Sequence, residues 1–127
     1  MRNFTFRRLT RADLPLMERW LSSAHVREWW PDTPYQMDIV QQDMDNPAVN
    51  MLLVCLIDHP FAYLHDHDAH AFRELQFGDL PGETRVLGTF VGDPDFNGQG
   101  LAPSYIDART RDLRIRYPLV AVGPDAK

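Results

Sequence analysis

The chain has 127 residues, a length typical of one domain, and we expect residues 1–127 to form a single domain. Hydrophobic residues make up 44% of the chain and charged residues 24%, a globular composition that excludes disordered, collagen-like and low-complexity proteins. The net charge of −5 argues against a general nucleic-acid binder and against an anionic-membrane binder, since both need a basic surface.

Two further features bear on where the protein works. The longest apolar run, residues 51–57, is far shorter than the ~20 residues that cross a bilayer, and the N-terminus has no apolar signal core. The single cysteine, Cys55, lies inside that run, where we expect a buried and inert thiol. We therefore expect a cytoplasmic protein with no membrane partner.

Hydrophobic periodicity predicts eight elements in the order β-α-α-β-β-β-α-β. They are a strand over residues 3–9, helices over 13–22 and 35–45, strands over 51–57, 61–67 and 85–92, a helix over 102–116 and a strand over 118–122, with a polar loop over 71–83. Thr10 and Asp13 have the spacing of a helix-capping box, and Asp58-His59-Pro60 is the expected turn between two antiparallel strands. The pattern indicates an α+β domain that ends in a βαβ step.

The segment with the clearest chemical meaning follows the strand over residues 85–92. Residues 93–100, here called the glycine loop, read Asp-Pro-Asp-Phe-Asn-Gly-Gln-Gly, and a helix is predicted directly behind them. Glycines let backbone N–H groups converge, and a helix N-terminus adds unpaired N–H groups and the positive end of its dipole. This arrangement favours a bound phosphate or pyrophosphate. An ordinary turn is the alternative, because Asn-Gly is itself a strong turn signal.

The sequence Asn97-Gly98-Gln99-Gly100-Leu101-Ala102 resembles the Arg/Gln-Gly-x-Gly-x-Gly/Ala pyrophosphate loop of the GNAT superfamily of acetyl-CoA-dependent N-acetyltransferases. The resemblance covers nearly the whole chain and narrows to the branch that contains aminoglycoside 6′-N-acetyltransferases. Its other segments are residues 4–9 with 13–15, residues 26–30, residues 63–65 with 68–72, and residues 90–94. It implies a GNAT-like, mixed and mostly antiparallel sheet flanked by helices. A complete member continues with a helix and two further strands, so we expect a C-terminally truncated domain.

The resemblance also implies an activity. Backbone groups of the strand end and of the glycine loop would hold acetyl-CoA, the acyl donor, through Phe90, Val91, Gly92, Asn97, Gly98, Gln99, Gly100, Leu101 and Ala102. A primary amine of a small cationic molecule, similar to an aminoglycoside, would then attack the thioester directly. The branch commonly carries an aspartate where this sequence has Gly88, so the sequence assigns no catalytic base.

A second polar cluster is His65-Asp66-His67-Asp68, near the end of a predicted strand. On a strand the two histidines share one face and the two aspartates the other. The cluster lines a substrate cleft, lies solvated on the surface, or binds a metal; it lacks a complete zinc signature, so no metal is assigned. Because the resemblance places this region near the acceptor, Asp66 and Asp68 would attract a cationic substrate. His65, His67 and Asp68 are then the candidate catalytic residues.

Other features leave alternatives open. Trp29 and Trp30 either fill part of the core or line the acceptor pocket, where they would bind substrate. Two further functions compete with an enzyme: an acyl-CoA-binding module without turnover, and an interaction protein whose open sheet edge pairs with a partner. Pairing of that edge with a second copy would make a homo-oligomer.

Overall fold

The structure is a computed structural model that describes residues 3–68, 84–117 and 119–122, the last of these by their backbone. The strands are β1 (Phe4–Arg8), β2 (Val49–Leu56), β3 (His59–Asp68), β4 (Thr84–Val91) and β5 (Leu119–Val122). The helices are α1 (Leu14–Leu21), α2 (Ala24–Arg27), α3 (Thr33–Met44) and α4 (Ala102–Arg114). All eight elements expected from periodicity are therefore present, together with α2. The loop expected over residues 71–83 lies outside the described residues.

The strands form a single sheet in the order β1-β2-β3-β4-β5. Neighbouring strands from β1 to β4 are antiparallel, whereas β4 and β5 are parallel and joined through α4. The predicted α+β class, the mostly antiparallel sheet and the βαβ step are confirmed.

The two faces of the sheet carry separate hydrophobic cores, because successive side chains of a strand point to opposite sides. The helices α1, α2 and α3 cover one face, and α4 covers the other. On the first face the largest buried side chains are Met17, Trp20, Leu21, Trp30, Tyr63 and Phe90. On the second face they are Phe61, Leu64, Leu87, Leu101, Tyr105 and Leu113. Each face of β3 and β4 therefore leads to a different set of helices.

The contact between β4 and β5 is shorter than β4 itself. Thr84 to Leu87 pair with Leu119 to Val122, and beyond Leu87 no described strand pairs with this side of β4. On its other side β4 pairs with β3 as far as Val91. Residues 88–91 therefore have an edge that no described strand covers, and we call it the open edge of β4.

The turn between β2 and β3 differs from the sequence prediction. It consists of Ile57 and Asp58, whose φ angles are 49° and 62°, so His59 and Pro60 already belong to β3. Positive φ at both central residues is the type I′ hairpin geometry, whose twist matches that of the flanking strands. The prediction was wrong because Ile57 continues an apolar run and is a residue type that rarely adopts positive φ.

The expectations for the cysteine and for membrane helices can also be compared with the structure. Cys55 is buried, and burial raises the pKa of its thiol, as expected for an inert cysteine. In the part of the chain that the structure describes, no helix is long and apolar enough to span a bilayer.

Candidate active site

The glycine loop connects the end of β4 to the start of α4, so it is a strand–loop–helix and not a hairpin. Gly98 and Gly100 have φ angles of 80° and 70°, a conformation that other residues rarely adopt. Helix α4 begins at Ala102, and the carbonyl of Leu101 accepts the first bonds of the helix, from the N–H groups of residues 104 and 105. The N–H groups ahead of these have no partner within the helix. The loop thus has the backbone geometry of an anion site.

Aromatic stacking and a hydrogen bond between His59 and Asp93 hold the start of this loop. The Phe96 ring stacks on those of His59 and Phe61, with centroid distances of 5.3 and 5.0 Å. His59 Nε2 lies 2.8 Å from Asp93 Oδ2, and Asp93 Oδ1 accepts the N–H of Asp95. Burial alone would raise the pKa of Asp93, but these hydrogen bonds outweigh it and lower the pKa. The loop is therefore anchored to the first residues of β3.

Two residues on the open edge of β4, Thr89 and Val91, point their backbone groups away from β3. Gly92 donates its N–H to the carbonyl of Phe61 on the β3 side, at 2.9 Å. Because hydrogen bonding alternates along an antiparallel strand, Val91 and Thr89 direct their backbone groups to the opposite, open side. The carbonyl of Val91 accepts a bond from Nε2 of His25 at 2.9 Å. Of the three strand-end residues expected at the cofactor, Val91 is the one whose backbone faces the open edge.

A small pocket of about 80 Å³ lies between α2, the end of β4 and the glycine loop. Its lining residues are His25, Val26, Trp29, Trp30, Phe90, Val91 and Asn97. Trp30 is buried against Phe90, whereas Trp29 is 49% exposed, so one tryptophan belongs to the core and the other forms the rim. Sequence reasoning missed His25, because the one-turn helix α2 is too short to show periodicity.

His65 lies on the same face of the sheet as this pocket. Its ring packs beside that of Trp30, with 5.8 Å between centroids, and its Nδ1 lies 3.0 Å from the hydroxyl of Tyr63. A Cβ on Gly88 would lie only 2.5 Å from Nε2 of His65. Glycine at position 88 is therefore explained by packing, since the imidazole occupies the space that a side chain would need. Glycine at position 92 is explained in the same way, because an added Cβ would overlap the ring of Trp20.

A family comparison identifies the architecture. The family model described as Acetyltransferase (GNAT) domain matches residues 10–126, which is most of the chain. The chain belongs to the GNAT acetyltransferase family. The expected membership of this family is thereby confirmed.

Several solved structures share this fold. An uncharacterized protein from Bacillus halodurans aligns with a TM-score of 0.79 at 15% identity, over 94% of this chain and 63% of its own. Aminoglycoside acetyltransferase AAC(6′)-Ib in complex with coenzyme A has a TM-score of 0.70 at 21% identity, over 98% and 70%. Spermidine N-acetyltransferase from Vibrio cholerae, in complex with CoA and spermine, has a TM-score of 0.67 at 12% identity, over 94% and 69%.

These alignments establish the fold, and they show that the chain spans less than two thirds of the first of these proteins. No curated protein matches the chain significantly in sequence.

The structure corrects the expectation that Asp66 binds substrate in this GNAT domain. Asp66 is fully buried on the α4 face, opposite to the face that carries the pocket. Its Oδ1 accepts from Nε of Arg85 at 2.8 Å and from the amide of Asn50, and its Oδ2 accepts from Nη2 of Arg109 at 3.0 Å. A carboxylate held by two arginines in the core neither reaches nor attracts a substrate. Sequence alone could not show that β3 turns this residue inward.

The other two members of the polar cluster lie farther along β3. Asp68 is paired in register with Arg85, whereas the pocket adjoins Val91, whose register partner is Ala62. Six residues of strand separate the two ends, or ~20 Å. His67 is buried and donates from Nδ1 to the carbonyl of Asp68. Their suggested catalytic roles stay predictions. Among the described residues, no group of three His, Cys, Asp or Glu side chains is placed to hold a metal.

Proposed function

We propose that this GNAT domain binds acetyl-CoA and transfers its acetyl group to a primary amine of a small cationic molecule. The observation that carries the proposal is the glycine loop between β4 and α4, with Gly98 and Gly100 at positive φ beside an open strand edge. Two structural neighbours support it, one bound to coenzyme A and the other to CoA and spermine.

The residues present fit the cofactor. The pyrophosphate oxygens would accept hydrogen bonds from the backbone N–H groups of Gly98, Gln99, Gly100, Leu101 and Ala102. The start of α4 favours negative charge at this place. The pantetheine arm carries amide groups and would add to the sheet as an extra strand along the open edge of β4. Thr89 and Val91 are the residues whose backbone groups face that edge. His25 already engages one lone pair of the Val91 carbonyl, which leaves a second for an N–H of the arm.

An exposed aromatic ring at the pocket and acidic residues near it in the chain suit a cationic amine. The Trp29 ring forms the exposed rim, and an aromatic face attracts a cation. Glu28 precedes Trp29 in the chain and Asp32 follows it by three residues; both are exposed, and the protein carries a net charge of −5. We therefore place the acceptor amine on the α2 side of the open edge, with Trp29 and Trp30 as its wall. An aminoglycoside or a polyamine fits this description.

The cofactor would supply an acetyl group activated as a thioester. The domain itself orients the amine against that thioester, and orientation of two reactants is worth a large part of a barrier. Backbone N–H groups on the open edge of β4 would donate to the carbonyl oxygen as negative charge develops there. The amine must also lose a proton before or during its attack.

Binding and turnover are tested separately on the purified chain. Saturable thermal stabilisation by coenzyme A tests the pyrophosphate site formed by residues 98–102, here called the cradle. Thiol release from acetyl-CoA with kanamycin, spermine and simple amines tests transfer. Gly100→Val should lower coenzyme A affinity more than tenfold, because valine cannot adopt the backbone angle found here. Ile115→Val, an exposed change beyond the far end of α4, is the matched control. A folded Gly100→Val protein with unchanged affinity would refute the cradle.

One observation favours a second candidate function, an acyl-CoA-binding module without turnover. Gly88 offers no side chain that accepts a proton at the position where the related branch commonly has a carboxylate. Such a module would show saturable coenzyme A binding but release no thiol with any amine in the panel. Pairing of β5 with a second copy of the chain also stays a prediction, and light scattering with and without coenzyme A tests it.

A further inference from the structure

A histidine of the one-turn helix α2 reaches the end of β4. His25 is half-buried and lines the small pocket, and its Nε2 lies 2.9 Å from the carbonyl oxygen of Val91. A carbonyl oxygen only accepts hydrogen bonds, so Nε2 carries a proton and is the donor, whether the imidazole is neutral or charged. In the neutral ring the lone pair is then on Nδ1. The acceptor therefore fixes both the direction of this bond and the tautomer of His25.

This bond joins two parts of the proposed site that are 66 residues apart in the chain. Val91 is the last residue of β4, and its backbone faces the open edge along which the cofactor arm would add. Shortly after His25 come Trp29 and Trp30, which line the pocket and form the wall proposed for the amine, here called the acceptor wall. The His25 side chain thus connects the acceptor wall to the backbone edge proposed for coenzyme A.

Helix α2 depends on its surroundings for its position. A single helical turn has too few internal hydrogen bonds to be stable alone. The next residue, Val26, is only 2% exposed and packs in the core on this face of the sheet. Apolar packing of this kind is non-directional, whereas a hydrogen bond has a preferred length and angle. Val26 therefore holds α2 against the core, and the His25 bond sets how the helix is oriented relative to Val91.

We infer that His25 is a positioning residue of the proposed site, which acts through the Val91 carbonyl and couples amine binding to coenzyme A binding; the inference rests on the proposed function. The carbonyl accepts from His25 with one lone pair and offers the other to the cofactor arm, while α2 presents the acceptor wall to the amine. Each ligand then favours the arrangement that the other one needs. The two affinities are therefore coupled, by the same factor in both directions.

The test compares two substitutions of His25 in the 127-residue chain. His25→Gln keeps an N–H donor at a reach similar to that of Nε2, whereas His25→Leu keeps a side chain of similar size without a donor. Arg27→Lys, an exposed and charge-conserving change on the same helix, is the matched control. Calorimetric titration measures the Kd of spermine with and without saturating coenzyme A, and the Kd of coenzyme A with and without saturating spermine. Kanamycin replaces spermine in a second series.

Wild type and Arg27→Lys should bind spermine at least about fivefold more tightly when coenzyme A is bound, a factor at the lower end of typical coupling between two sites. His25→Gln should keep most of this factor, and His25→Leu should bring it close to one. The affinity of His25→Leu for coenzyme A alone should stay within about threefold of wild type, since the cradle itself loses no hydrogen bond. A side chain that only supports the fold would lower the free energy of unfolding and leave the coupling factor unchanged.

The hydrogen bond itself can be observed in wild type by nitrogen NMR of the His25 ring, assigned by its loss in His25→Gln. At a pH where the ring is neutral, Nε2 should be protonated and Nδ1 should not. The Nε2 resonance should shift when coenzyme A is added, because the arm would share the Val91 carbonyl with His25. A proton on Nδ1 with none on Nε2 would overturn the positioning role.

The remaining outcomes separate this role from the proposed function. If coenzyme A and either amine bind wild type independently, the positioning role is wrong and the proposed function stands. The same conclusion follows if coupling persists in folded His25→Leu, or if His25→Gln loses it completely. If His25→Leu does not fold, the wild-type coupling factor, His25→Gln and the ring nitrogens decide. A wild-type chain that binds no coenzyme A, or neither amine, would overturn the proposed function and the positioning role with it.

Discussion

The hydroxyl of Tyr105 on α4 lies 2.8 Å from Oγ1 of Thr89 on β4, and both side chains are fully buried. The Thr89 hydroxyl has one proton and gives it to the Tyr63 carbonyl, so Tyr105 is the donor in the bond between them. Tyr105 stands in the first turn of α4, three residues after Ala102. This bond therefore fixes the start of the helix, and with it the end of the glycine loop, to β4.

Removing the Tyr105 hydroxyl should weaken both the fold and the cradle. Tyr105→Phe keeps the ring in the core but deletes the bond to Thr89, which should lower the free energy of unfolding by about 1 kcal/mol. Coenzyme A affinity should fall modestly because α4 is held less firmly against β4. Urea denaturation and calorimetric titration measure the two effects. A loss of stability without any loss of affinity would show that this bond does not position the cradle.

The same residue predicts a stability change in alkaline solution. Burial raises the pKa of Tyr105 from its usual value of 10.0 to about 12, although the bond with Thr89 acts in the opposite direction. A group with a raised pKa in the folded state stabilises the fold below its unfolded pKa, and this stabilisation is lost as the pH rises through the folded value. Wild type should therefore lose more stability than Tyr105→Phe between pH 10 and 12. Parallel urea midpoints for the two proteins across that range would contradict the prediction.

The anchor of the glycine loop at Asp93 can be tested in two steps. Asp93→Asn keeps an acceptor for the Asp95 N–H but loses the carboxylate that faces His59, whereas Asp93→Ala loses both. Coenzyme A affinity should fall in the first variant and further in the second. Because the contact between His59 and Asp93 is partly exposed, the stability cost of Asp93→Asn should stay below about 1 kcal/mol.

The lowered pKa of Asp93 also sets the pH at which this anchor fails. A depressed pKa contributes stability above the unfolded value of 3.8, and that contribution disappears as the pH falls through the lower, folded value. Wild type and Asp93→Asn should therefore converge in stability below pH 3.8. A difference that persists unchanged into that acid range would show that the Asp93 charge is not its source.

Most of the fold could be predicted from local signals in the sequence. The capping box of Thr10 and Asp13 is present at the start of the predicted first helix, because both of its bonds are made within four residues. The strand–loop–helix around Gly98 and Gly100 could be predicted for the same reason, since glycine spacing reports local backbone geometry. Helix α2 was missed because a single turn contains too few residues to show a period.

The polar part of the site could be predicted only in part. The alternation of side chains along a strand correctly predicted that His65 and His67 lie on the face opposite Asp66. It could not show which face carries the pocket, because that depends on how the helices pack. The pairing of Asp66 with Arg109 spans 43 residues, and the contact between His65 and Gly88 spans two strands. Such long-range contacts have no signature in the sequence around either partner.

The β2–β3 turn predicts a stabilising substitution far from the site. Ile57 is 91% exposed and adopts a φ of 49°, which is unfavourable for a β-branched residue. Asn is preferred at this turn position, so Ile57→Asn should raise the free energy of unfolding by about 1 kcal/mol. Ile115→Asn, at an exposed position whose φ is not positive, is the control and should not stabilise. An equal gain in both variants would trace the effect to lost surface hydrophobicity.

The buried carboxylate of Asp66 provides a test that separates a structural role from substrate binding. Asp66→Ala leaves Arg85 buried without its ion-pair partner, so the free energy of unfolding should fall by about 3–5 kcal/mol. Arg109→Met is the milder variant if Asp66→Ala does not fold, because Arg109 is partly exposed and Arg85 still pairs with Asp66. Its stability should fall while the KM for spermine or kanamycin stays within about twofold of wild type. If Asp66 bound substrate, the opposite result would be expected, a raised KM at unchanged stability. That result in Asp66→Asn would show that Asp66 binds substrate despite its burial.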